Sequence, residues 1–277
     1  MKTENKEFAL KLLKKVFGKK NGEIVSIKPI HRGYTNFSFF VTYANGKNYQ
    51  VRIPHCGDLL NRSNEKMMLT MLKDQSFVYF DVKTGVAIKE WIDGKSPKIG
   101  VWKRWKYTDD LFAQIKKIHN LTLPKGHKFK KLNFDAYNKH LFRLKLEYQT
   151  KYLSILETYR ENPYVLSHTD INAQNLILDT KEKIHIIDYE WCGLAPEYWD
   201  YANFIRENRI RFLYLDWKKY IPDFNLKELK DYIFASAVYA FLWTWEMPLT
   251  RRLKHYRKRT LRQIRWYGRG AFLEDEQ

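Results

Sequence analysis

Residues 167–178 read S-H-T-D-I-N-A-Q-N-L-I-L, with His168, Asp170 and Asn175 standing just ahead of a short apolar run. Inside a core strand each polar group would need a partner once water is excluded. On a loop leading into a strand they stand at its mouth, where they can act on something else. Thirteen residues beyond Asn175, Asp188 closes the run I-H-I-I-D-Y-E, and upstream Arg52 lies in V-R-I-P and Glu65 in N-R-S-N-E. Together these types match the needs of phosphoryl transfer. A carboxylate must orient the acceptor hydroxyl and take its proton, which Asp170 can do. Hard oxygen ligands must hold Mg²⁺ against the phosphates, which suits Asn175 and Asp188. A cation must grip the nucleotide phosphates and an acid must fix that cation, which suits Arg52 and Glu65.

The elements that would position these groups can be traced along the chain. A first helix over about 4–17 precedes strand-rich residues 23–53, in which N-G at 45–46 marks a hairpin. A helix over roughly 61–74 carries Glu65, and F-V-Y-F-D and G-V-A-I-K-E-W read as two further strands. Helical periodicity then runs through 103–119 and 135–160, and the chain from about 197 onward reads as helix. Between these helices, the H-x-D-x4-N loop and the strand ending at Asp188 form a hairpin across the turn D-T-K-E-K. The expected organisation is a strand-rich lobe over 1–92 and a larger helical lobe over 93–277.

Composition sets the class. Hydrophobic residues at 44% and aromatics at 16% exclude a disordered chain. Two cysteines, Cys56 and Cys192, fit a reducing compartment better than a disulfide scaffold. The N-terminal stretch lacks the apolar run of a signal peptide, and the apolar segment 232–243 is too short to span a bilayer. A cytoplasmic protein is expected. The formal net charge is +19, and residues 251–270 hold nine Arg or Lys and no acid. That segment is either a solvated basic helix face or a surface for anionic partners, with peripheral contact to an anionic membrane expected ahead of nucleic acid. Oligomeric state is not legible.

The spacing D-x4-N followed by two apolar residues and Asp resembles the catalytic loop and metal-binding segment of protein kinases. With D-Y-E in place of D-F-G and no A-P-E segment, the sequence is similar to the aminoglycoside phosphotransferase superfamily. Within it, G-Y-T-N-F-S-F-F-V (33–41), V-R-I-P, N-R-S-N-E, S-H-T-D-I-N-A-Q-N, I-D-Y-E-W (187–191) and W-D-Y-A-N-F-I-R-E (199–207) resemble the choline/ethanolamine kinases of the LicA type. The resemblance implies an α+β, two-lobed protein-kinase-like fold with a small antiparallel sheet and a larger, mainly helical lobe. It implies ATP and Mg²⁺ as cofactors, Asp170 as base with His168 organising its loop, and Asn175 and Asp188 as metal ligands. Gly33, Thr35 and Asn36 would cover the phosphates, Arg52 and Glu65 would pair beside them, and Glu90 and Ile92 would meet adenine at the hinge. Asp200 would brace the catalytic loop.

A quaternary ammonium has no hydrogen-bond donors and is held by aromatic faces and carboxylates. Tyr239 and Trp243, four apart, share a helix face. The resemblance adds Glu207 and Glu190 to them as acceptor-site residues. The segment F-L-W-T-W-E (241–246) departs from the family's Leu-Trp-x-x-Trp, since Glu246 takes the second position. The leading expectation is phosphorylation of choline to phosphocholine, a step of phospholipid metabolism. Alternatives are a kinase for ethanolamine, thiamine or an aminoglycoside, and a non-catalytic basic adaptor that binds RNA or membrane.

Overall fold

The computed structural model describes residues 2–30, 35–55, 61–98, 101–102, 105–208 and 216–270. The chain divides into two compact units. The first comprises Met1–Lys95 together with Asp188–Trp191, and the second comprises Ser96–Ile187 with Cys192–Gln277. A division after residue 92 was expected; the sequence reading had not placed the segment Asp188–Trp191 with the first unit.

In the first unit, helix α1 (Lys2–Phe17) precedes strands β1 (Ile24–Ile30), β2 (Asn36–Tyr43) and β3 (Asn48–Pro54). Helix α2 (Arg62–Met71), β4 (Phe77–Phe80), β5 (Ala87–Glu90) and the two-residue β6 (Gly94–Lys95) follow. Five strands form an antiparallel sheet in the order β1-β2-β3-β5-β4. Alternation decides which face each residue takes. Phe39, Val41 and Tyr43 of β2 and Tyr49, Val51 and Ile53 of β3 join Ala9, Leu12, Leu13 and Phe17 of α1 in one core. Each large side chain buried there contributes about 1.5–3 kcal/mol. The intervening residues Ser38, Gln50 and Arg52 take the opposite face, where Ser38 lies across from Arg52. The N-G signal is real: Gly46 adopts φ +81° in the loop joining β2 to β3, and Asn45 accepts a bond from the Lys47 N–H.

In the second unit, α3 (Trp105–His119), a short 3-10 segment (Asn138–Arg143) and α4 (Leu146–Thr158) lead to β7 (Tyr164–Ser167). Then come β8 (Leu176–Asp179), β9 (Ile184–Ile186), β10 (Gly193–Pro196), α5 (Tyr198–Asn208), α6 (Leu226–Trp243) and α7 (Arg251–Gly268). Helix α6 is buried around most of its circumference, as a helix must be that packs on α4, α5 and α7 together. Rings dominate the core of this unit: Trp199, Tyr201, Phe204, Tyr232 and Phe234 are almost fully buried. The helix expected over 135–160 is broken at Leu144, whose extended backbone (φ −104°, ψ 159°) buries its side chain. No Gly or Pro marks that break, so periodicity runs straight through it.

Candidate active site

The catalytic loop hangs from β7 and is organised by one buried carboxylate. Asp200, on the first turn of α5, is fully buried and accepts the backbone N–H groups of His168 (2.9 Å) and Thr169 (2.7 Å). His119 of α3 reaches the same carboxylate at 3.1 Å. Burial pushes the Asp200 carboxyl up, but His119, His168 and the accepted N–H hold it below the ordinary carboxylate range. Thr169 takes φ +65°, a costly conformation for a β-branched residue, and Asn203 anchors its carbonyl at 3.1 Å.

His168 has both ring nitrogens engaged. Nδ1 accepts the Asp170 N–H at 3.3 Å, so Nε2 carries the proton and donates to the Ile187 carbonyl at 3.0 Å. The ring thereby ties the loop to the residue ahead of Asp188. The Asp170 carboxylate receives Asn172 Nδ2 on one oxygen (3.0 Å) and Asn175 Nδ2 on the other (2.8 Å). With Nδ2 of Asn175 turned to Asp170, its Oδ1 is the face left for a hard cation. The β8–β9 hairpin pairs Leu176 with Ile186, and the Ile187 N–H donates to the Asn175 carbonyl at 2.9 Å. Asp188 is the next residue in the chain. At the hairpin turn, His185 and the Lys183 and Lys181 N–H groups hold the Asp179 carboxyl down to about 2.

The first unit holds a charge cluster of its own. Arg52 meets Glu65 of α2 through two bonds (2.6 and 3.0 Å) and lies 3.5 Å from Asp188. The Arg52–Glu65 pair is almost fully buried, whereas Asp188 is 34% exposed. Burial works against the Arg52 charge, yet Glu65, followed by Asp188 and Glu190, more than restores it and holds the guanidinium above its ordinary range. The Gly85 carbonyl takes Arg52 Nε and Nη2 at 3.3 and 3.2 Å. Gly85 has φ +75°, and a Cβ there would sit 2.2 Å from Arg62 Nε, so both conformation and space require glycine. Asp188 itself takes φ +67° and opens a 3-10 turn, Tyr189–Trp191, that buries Glu190.

Glu190 is the knot of this unit. Its carboxylate accepts Thr35 Oγ1 (2.6 Å), Asn36 Nδ2 (2.8 Å) and Arg62 Nη1 (3.2 Å). Arg62 also meets Glu65 at 2.9 Å. Two guanidinium groups and three carboxylates are thereby gathered, which leaves one net negative charge on the side of the exposed member, Asp188. Arg62 was not singled out from sequence, although it sits within the quoted N-R-S-N-E. The spacing Arg62-x-x-Glu65 on a helix places the two side chains together and was the available signal. His119 was missed too, because nothing in its own sequence neighbourhood points to Asp200.

At the hinge, the Glu90 and Trp91 N–H groups donate to the Ser76 and Asn48 carbonyls. Ile92 follows, and Gly33 lies outside the described residues. Of the acceptor candidates, Glu207 and Trp243 both neighbour Tyr256. The Glu207 carboxylate is held by Arg206 (2.6 Å), Arg259 and Tyr256 (3.1 Å). Burial would raise its carboxyl, but Arg206 and Arg259 keep it below the ordinary range. Tyr239 packs edge-on to Trp199 at 5.6 Å and lies 5.0 Å from Tyr137. Trp243 is the last residue of α6, half-buried, with the Tyr256 ring 6.4 Å away. Trp245 lies beyond the helix end, between the Arg143 and Arg257 guanidinium groups at 3.7 and 3.5 Å. Glu246 pairs with His140 and Lys139.

The sequence profile described as choline/ethanolamine kinase matches residues 27–235, three quarters of the chain and every charged group just described except Glu246, Arg257 and Arg259. The chain belongs to the choline/ethanolamine kinase family. It is therefore a phosphotransferase with a hydroxyl acceptor. An uncharacterized protein of Mycoplasma pneumoniae is 32% identical over 258 residues, 90% of this chain and 88% of that protein. Among solved structures, choline kinase LicA from Streptococcus pneumoniae, also solved in complex with AMP, superposes with a TM-score of 0.71 at 16% identity. That match covers 95% of this chain and 99% of LicA. Plasmodium vivax ethanolamine kinase gives a TM-score of 0.65 at 17% identity, over 93% and 94% of the two chains. At these identities the superpositions establish the protein-kinase-like fold. No described helix is long and apolar enough to cross a membrane.

Proposed function

We propose that this kinase transfers the γ-phosphoryl group of ATP, with Mg²⁺, to the hydroxyl of choline. The observation that carries the reading is the clasp of Asp170 by Asn172 and Asn175, which fixes both oxygens of a carboxylate at the end of a strained, braced loop. Asp170 would accept the proton as the choline oxygen bonds to the γ-phosphorus and the bond to the ADP oxygen breaks. Asn175 Oδ1 and the Asp188 carboxylate are the hard donors that fit Mg²⁺, which when bound supplies neutralisation of phosphate charge. Thr35 and Asn36, tied to Glu190, would hold the phosphate-covering turn. Arg52, fixed by Glu65, would meet the phosphates. The Glu90 and Ile92 backbone would meet adenine, as AMP bound to LicA makes reasonable.

For the acceptor, charge is the guide. Among the described residues, Glu207, Glu190 and Glu246 are each neutralised by basic side chains. A primary ammonium needs carboxylate or carbonyl acceptors, whereas a quaternary one is satisfied by ring faces. This favours choline over ethanolamine. ADP release measured with choline, ethanolamine, thiamine and an aminoglycoside tests the reading. Turnover is expected with choline at the highest kcat/KM; higher kcat/KM with ethanolamine would reverse the acceptor order, and no turnover with any would refute the proposal.

A further inference from the structure

The structure sorts the nine Arg and Lys residues of 251–270 into two groups. Three have partners in the second unit. Arg257 bonds the Thr244 carbonyl (2.7 Å) and hydroxyl (2.9 Å) over the Trp245 ring, Arg259 pairs with Glu207, and Arg252 bonds Gln174 at 3.0 Å. The other six are Arg251, Lys254, Lys258, Arg262, Arg265 and Arg269. All six are exposed, and none forms an ion pair among the described residues. At 3.6 residues per turn they fall within an arc of about 80° and make one straight stripe of roughly 27 Å. The opposite face, with Leu253, Thr260, Ile264 and Tyr267, is buried.

We propose that this stripe docks the protein on an anionic lipid bilayer surface. Six exposed cations on one line, with no ion-pair partner among the described residues and no acid between Met247 and Gly270, form a band of positive potential that an extended anionic surface complements. A flat surface meets all six at once. Nucleic acid is the competing anionic partner, and the lipid surface is preferred because apolar surface flanks the line of cations. An apolar and an amphipathic side chain flank the line in positions that suit the lipid interface. Leu249 is 57% exposed just ahead of the helix, and Trp266 is half-buried beside its C-terminal half.

Vesicle co-sedimentation of the full chain tests the proposal. Binding is expected to vesicles with about 30 mol % phosphatidylglycerol at roughly 0.1 M salt, and to fall steeply near 1 M, where the Debye length shrinks to about 3 Å. Neutral phosphatidylcholine vesicles should not bind. Each cation removed should lower partitioning by about fivefold, so Lys254→Gln/Lys258→Gln/Arg262→Gln should lower it on the order of a hundredfold. Far-ultraviolet circular dichroism and phosphotransferase activity in solution should be unchanged in that variant. Equal binding to neutral vesicles, insensitivity to salt, or undiminished binding by the variant would overturn the proposal. So would displacement from anionic vesicles by an RNA oligonucleotide bound more tightly than the lipid, which would assign the stripe to nucleic acid. The salt titration on the unaltered protein decides even if the triple variant misfolds, and no arm depends on which acceptor the kinase uses.

Discussion

At the scale of single residues, position matters less than what each side chain is bonded to. Asp170 and Asp200 both bond the loop after β7, yet one is clasped by carboxamides and the other is buried among N–H donors and histidine. Asp170→Asn keeps the shape and removes the base, so kcat should fall by about 10²–10⁴ with nucleotide affinity retained; steady-state kinetics beside nucleotide titration checks this. Trp243→Ala should raise the KM for choline by about fivefold or more if its ring faces the ammonium, equivalent to roughly 1–2 kcal/mol, whereas an unchanged KM removes it from the pocket. The triplet Asp170, Asn175 and Asp188, proposed here as base and metal ligands, was legible in the sequence because phosphoryl transfer restricts residue types and spacing. The engagement of Glu207 by Arg259 was not, since those residues lie 52 apart and only the packing of α7 on the rest of its unit joins them.

At the scale of elements, two braces stand out. The Asp200 brace couples α5 and α3 to the loop after β7. Its carboxyl is lowered in the folded state, so it stabilises above the ordinary carboxylate pKa and that stability is lost as pH falls through the lower folded value. Thermal unfolding followed from pH 7 to below about 4 should therefore show a falling Tm. Asp200→Asn should lower Tm at pH 7, by the equivalent of up to about 3–5 kcal/mol, and flatten that acid limb. The second brace ties α2 to the turn carrying Glu190 through Arg62. Arg62→Met leaves Glu65 and Glu190 short of a cation, and a comparable loss of Tm is expected, read by calorimetry. Arg62→Lys should recover only part of it, because one ammonium lacks the fork that reaches two carboxylates.

At the scale of the whole molecule, the chain crosses between its units more often than a two-lobe sequence division suggests. Four residues, Asp188–Trp191, belong with Met1–Lys95 although more than ninety positions separate them. A fragment of residues 1–95 lacks Glu190 and Asp188, so Arg52, Arg62 and Glu65 would be left in a broken buried network. That fragment should show no cooperative thermal transition by circular dichroism, while the full chain should show one; a sharp transition in the fragment would refute the dependence. The +19 charge belongs to this scale as well, and six of its cations lie on one side of one helix.

Most strands and helices, the loop carrying Asp170, the spacing of Asn175 and Asp188 and the Arg52–Glu65 couple were legible in the sequence. Periodicity, turn residues and chemically constrained spacing are local properties that survive without coordinates. The tertiary structure alone decided where Glu190 goes, which cations of α7 are neutralised, and that the helix over 135–160 breaks at Leu144. Each of these depends on which distant backbone or charge comes within about 3 Å, the range over which hydrogen bonds and buried ion pairs act, and that is set by packing between elements and not by their sequence spacing.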